Sequence, residues 1–119
     1  MIEIEKLPTS GQVAIDIHVS ATVNVSAFSA KQKVTRFVAS HISTHMHGGE
    51  PKMVVNDRIV WRVPIIFSMA PQGDRGVVGE VDVDVETGAT QISQALIEGI
   101  RERARQLALH PPSPTATTG

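Results

Sequence analysis

Apolar and polar residues alternate one for one over a long stretch near the N-terminus. Val13, Ile15, Ile17, Val19, Ala21, Val23 and Val25 share one parity, while Gln12, Asp16, His18, Ser20, Asn24 and Ser26 hold the other. A period of two is the signature of a strand with one buried face. The run exceeds an ordinary strand in length, so a bend near Ser20-Ala21 is expected. The rhythm then changes. Ala30, Val34, Phe37, Val38, His41 and Ile42 recur at helical spacing, with Lys31, Lys33 and Arg36 outside that stripe. Ser29 with Gln32 fits a capping box and Ser26 is the alternative cap. Gly48-Gly49 stops the helix, which should end within 43–47.

Strand patterns return downstream. Lys52–Val55 is short and closes on the turn pair Asn56-Asp57. Over 58–69, Ile59, Trp61, Val63, Ile65, Phe67 and Met69 face one way. Pro64 lacks an amide hydrogen, which places this strand at an edge or Pro64 at a bulge. A loop over 70–76 leads into 77–86, where Val77, Gly79, Val81, Val83 and Val85 should point inward and Glu80, Asp82, Asp84 and Glu86 outward. Pairing Met69 with Val77 sets Phe67 against Gly79, whose missing side chain leaves room for the ring, and Arg62 against Asp84. A final helix spans about 91–109 with Thr90 as cap. Ile92, Ala95, Leu96, Gly99, Ile100, Ala104 and Leu107 form its apolar stripe. Gly99 points to a close approach by a neighbouring element, and Glu98 with Arg101 and Glu102 with Arg105 make i,i+3 pairs.

These elements define an α+β fold: an antiparallel sheet of about four strands packed on one face by two helices, in the order β-α-β-β-β-α. The chain of 119 residues is one domain over 1–109. The Pro/Thr-rich stretch 110–119 reads as a flexible tail. The long first strand offers more ladder than its neighbours can use, which suggests a homodimer through that strand.

Composition narrows the functional classes. The net charge is −1 and aromatics are 3 % of the chain, so neither a phosphate-binding footprint nor a base-stacking platform is expected. With no cysteine, disulfides, thiolate metal sites and thiol nucleophiles are excluded. The acidic start Met1-Ile2-Glu3-Ile4-Glu5 is unlike a signal peptide, and no stretch is apolar enough to cross a membrane. A cytoplasmic location is expected, with no nucleic-acid or membrane partner.

The chemistry-bearing residues fall into two groups. His41, His45 and His47 lie within seven residues, with Glu50 following. On a continuing helix His41 and His45 sit one turn apart, as two ligands of one divalent transition metal would. Histidines at a helix C-terminus are equally explained by the dipole, and His41 also falls on the apolar stripe. The second group, Trp61, Arg62, Asp82 and Asp84, forms a candidate surface for a partner or ligand. Carboxylates two apart on a strand lie roughly 7 Å from each other, too far for one ion to span easily, so a solvated face partly paired with Arg62 is the simpler reading. Trp61, on the inward parity, is core or the wall of a ligand site. No Gly-x-Ser-x-Gly is present, and the glycines at 73, 76 and 79 span a hairpin instead of a phosphate-binding turn. The balance leans away from an enzyme, without catalytic or cofactor-binding residues to name.

The helix opening Ser29-Ala30-Lys31-Gln32, the run Trp61-Arg62-Val63 and the segment Gly79-Glu80-Val81-Asp82-Val83-Asp84-Val85-Glu86-Thr87-Gly88 together resemble a PepSY-like domain over about 29–90. Such domains are commonly exported or membrane-attached, routes this sequence does not display. The resemblance implies a small α+β binding or inhibitory module and assigns no residue a role. The expected function is therefore a non-catalytic binding or regulatory module that engages a protein partner. The alternatives are a metal-binding protein using the histidine cluster and a small-ligand binder on the concave sheet face.

Overall fold

The computed structural model describes residues 20–69 and 73–109. Helix α1 spans Ala27–His41, followed by strands β1 (Met46–Gly48), β2 (Lys52–Val55), β3 (Ile59–Met69) and β4 (Gly73–Asp84) and by helix α2 (Gln94–Leu109). The fold is α+β, with a four-stranded antiparallel sheet and two helices in the order α-β-β-β-β-α. The expected order, β-α-β-β-β-α, is corrected. Residues 13–19 of the expected first strand, like the tail 110–119, lie outside the described residues. The described end of that run, residues 20–26, belongs to no strand. Instead the amides of Asn24 and Val25 both donate to the Val85 carbonyl, at 2.8 and 2.9 Å.

The fourth strand comes from the stretch after α1. Ser26, not Ser29, caps the helix, its Oγ accepting from the Ser29 amide at 3.0 Å. The helix stops at His41 because Ile42 leaves helical geometry at φ −121°. The amides of Ile42 and Ser43 both turn back onto the Val38 carbonyl. Arg101 of α2 donates to the His41 carbonyl at 3.1 Å, supplying a cation where the helix dipole is negative. The chain is thereby free to enter the sheet at Met46, opposite Phe67.

β3 is the central strand. β4 pairs along one edge, and β1 and β2 share the other, end to end. They read as a single edge strand broken at 49–51, where the pairing register against β3 steps by one residue. This break accommodates Pro64. The Pro64 carbonyl accepts from the Gly49 amide at 2.7 Å, so its nitrogen also faces the interrupted edge, where no ladder bond is lost.

The inward parity of β3 is as expected. Val63, Ile65 and Phe67 are buried, and Trp61 and Met69 pack against them. The register with β4 is not. Val63 pairs with Val81, Ile65 with Gly79 and Arg62 with Asp82, a two-residue offset from the expected partners. Irregularities at 75 and 78 each insert a residue into β4, and the ladder runs on to Met69–Gly73. The bulge at Val78 reverses the local parity: Val78 is fully buried, whereas Val77 is 57 % exposed. Arg103 of α2 donates through Nε to the bulged Val78 carbonyl at 2.5 Å.

α1 packs on β1 and β3, and α2 on β4, both on one side of the sheet. Ala30, Val34 and Val38 of α1 and Ile100 and Ala104 of α2 complete the core. Gly79 lets α2 come close, since a Cβ there would lie 2.6 Å from Ile100 Cγ1. Its space is used by Ile100, not Phe67. Gly99 has no such role: a Cβ there would meet only Arg103 of its own helix. Ser93, not Thr90, caps α2, accepting from the Leu96 amide at 3.1 Å. Glu102 and Arg105 pair as expected, whereas Arg101 serves α1.

Candidate functional site

The histidine cluster is spread over three structural settings. His41 closes α1, stacks on Phe37 with ring centroids 4.6 Å apart, and holds Nδ1 3.1 Å from the Phe37 carbonyl. His45 lies in the exposed turn before β1. His47 sits within β1 opposite Ile66, on the sheet face away from the helices, because its neighbours Met46 and Gly48 are the buried ones. Glu50 pairs with Lys31 at 3.0 Å. Among the described residues, no three histidine, aspartate or glutamate side chains converge as metal ligands would.

The second group is tied into the fold. Arg62 grips Asp82 through two bonds, Nε to Oδ1 at 2.8 Å and Nη2 to Oδ2 at 3.0 Å, across β3 and β4. The hydrogen-bonded Asp82 carboxylate holds the guanidinium above its ordinary pKa. Asp84, expected to face solvent, is buried and organises the turn that follows β4. Its Oδ1 accepts from the amides of Thr87 at 3.0 Å and Glu86 at 2.8 Å, and Arg58 approaches Oδ2 at 3.4 Å. Those two amides and then Arg58 hold the Asp84 carboxyl below its ordinary pKa. Trp61 faces the helix side, and its Nε1 donates to the Val25 carbonyl at 2.7 Å, fastening the segment before α1 to the sheet. Of the outward carboxylates, Glu80 and Glu86 are exposed.

Two concave sites stand out among the described residues. One, of about 370 Å³, lies at the end of the sheet among Asp57, Arg58, Asp84, Glu86 and Thr87. Its polar groups are largely spent on the turn just described. The other, of about 290 Å³, runs along α1 and is lined by Phe28, Lys31, Gln32, Thr35 and Arg36. These positions are i, i+3, i+4, i+7 and i+8, one face of the helix beside its buried stripe. Phe28 is 66 % exposed, the most exposed of the large apolar side chains among the described residues. Thr35 anchors the lower rim by accepting from the Gly48 amide at 2.9 Å.

This second site was legible as a repeat. Phe28 falls outside the stripe of Ala30, Val34 and Val38, and the same spacing carries from it through two cations. An isolated aromatic at a helix start reads as part of the hydrophobic pattern, which is why it escapes a parity count. No family model, curated protein or solved structure matches the chain. Among the described residues, no helix is long and apolar enough to cross a membrane.

Proposed function

We propose that this protein is a small binding or regulatory module that engages a protein partner, with the flank of α1 as its contact surface. The observation that carries the reading is Phe28, two-thirds exposed beside a groove of about 290 Å³. Fully burying a phenylalanine side chain is worth roughly 1.5–3 kcal/mol, and most of that gain is still available at Phe28. Aromatic anchors next to a pocket are the residues on which protein interfaces concentrate their energy. The test is affinity capture with the whole chain as bait, at low and high salt, beside a Phe28→Ala bait. The reading expects at least one protein retained by the wild-type chain and lost from the variant. No protein retained at either salt concentration would refute it.

A further inference from the structure

The charges around Phe28 specify the partner's chemistry. α1 contains Lys31, Lys33 and Arg36 and no acidic residue among its fifteen. Lys33 turns away to the Gly88 carbonyl. Lys31 and Arg36 remain on the groove, one on each side of the line from Phe28 to Thr35. Phe28 is the second residue of the helix, and its first turn has no acidic side chain to offset the positive end of the dipole. The helix N-terminus and Lys31, one turn on, put positive potential beside the exposed ring, and Arg36, two turns on, extends it along the groove. Glu50 is the opposing charge. Its carboxylate is 3.0 Å from Lys31 but 89 % exposed, so an incoming carboxylate can take its place with little cost.

Building on the binding reading above, we infer that the α1 flank docks an acidic segment of a protein partner, which lays an apolar side chain beside Phe28 and sets carboxylates against Lys31 and Arg36. An anionic lipid surface shares the charge preference but not the shape. A flat bilayer reaches the Phe28 ring but leaves the open hollow of about 290 Å³ along Lys31, Gln32, Thr35 and Arg36 unfilled, and a side chain of a docked segment can enter it. A short segment held by one anchor and a few exposed charges binds with an affinity that falls as salt rises.

The experiment is selection of a displayed random-peptide library on the whole chain, followed by anisotropy titration of the fluorescein-labelled winner. Vesicles of phosphatidylserine are titrated in parallel. The selected sequences should be enriched in aspartate and glutamate around an aromatic or aliphatic residue. Phe28→Ala should weaken the winner at least about tenfold, as loss of an interface anchor does. Arg36→Glu should weaken it comparably, and Val77→Asp, on the far sheet face, should leave it within about twofold. Neutral or basic winners, winners indifferent to Phe28→Ala, or no enrichment would overturn the inference. So would Phe28-dependent binding of the vesicles that exceeds peptide binding. Winners that depend on Val77 and not on Phe28 would end this assignment while leaving a peptide-binding module at another face.

Discussion

Replacing Gly79 with alanine probes the closest contact between helix and sheet. The added Cβ would sit 2.6 Å from Ile100 Cγ1 and 3.2 Å from its Cδ1. Carbon atoms in contact prefer about 3.5–4.0 Å, so roughly 1 Å must be found. Cγ1 lies near the root of the side chain and Ile100 is 1 % exposed within a core of fully buried valines, so a rotamer change cannot supply it. Overpacking of this kind costs about 1–3 kcal/mol. Restricting the unfolded chain by Gly→Ala returns about 0.4–1 kcal/mol, because Gly79 does not use a glycine-only conformation. The net expectation is a loss of about 1–2 kcal/mol, or roughly 4–8 °C in Tm for each kcal/mol. Urea denaturation followed by the fluorescence of Trp61, the one tryptophan, measures it. Ile100→Ala alone should cost about 2–5 kcal/mol. In that background Gly79→Ala should become neutral or stabilising, since the obstructing carbons are gone. Gly79→Ala that is neutral or stabilising in the wild-type chain would refute the close packing of α2 on β4.

Three further outcomes follow from individual contacts. Val78→Ala should cost about 2 kcal/mol and Val77→Ala less than about 0.5 kcal/mol in the same denaturation assay, because the bulge buries one and exposes the other; equal costs would remove the bulge. Ser26→Ala should cost about 1 kcal/mol and Ser29→Ala less, as read by loss of thermal stability; the reverse ranking would restore the capping box opened by Ser29. Asp84, with its pKa held down in the folded state, contributes stability that is present above the unfolded value near about 4 and is lost as pH falls through the folded value. Asp84→Asn should therefore be less stable than wild type at neutral pH, with the gap narrowing through that acidic window; a gap independent of pH would show that the charge on Asp84 is not what holds the turn.

The sequence carried parity well and pairing poorly. Val63, Ile65, Phe67, Val81 and Val83 face the core as the alternation implies, because a buried face must repeat every second residue. The partners of Val63, Ile65, Val81 and Val83 differ from the expected ones by two positions and that of Phe67 by three, because the hairpin closes at Met69–Gly73 instead of Met69–Val77 and the residues inserted at 75 and 78 take back two of those four positions. The ends of elements were decided by local geometry. Ser93 competes with Thr90 for the cap of α2, and the turn of Ile42 and Ser43 onto Val38 ends α1 before the Gly48-Gly49 pair that composition favours. The candidate site was legible only as spacing. Phe28, Lys31 and Thr35 lie on a second helical face, and Thr35 is tied to β1 by the Gly48 amide, a contact between residues far apart in the pattern. Asp84 illustrates the converse, since its place in an acidic alternation concealed a buried carboxylate that organises a turn.

The claim that the flank of α1 meets another protein is tested most directly by a benzophenone side chain placed at position 28 and activated by light in the cells that make the chain. The account predicts a recurrent adduct with one protein, joined within an acidic stretch of it, and absent when the same group is placed at position 77. Adducts equally abundant from both positions, or none from position 28, would contradict it.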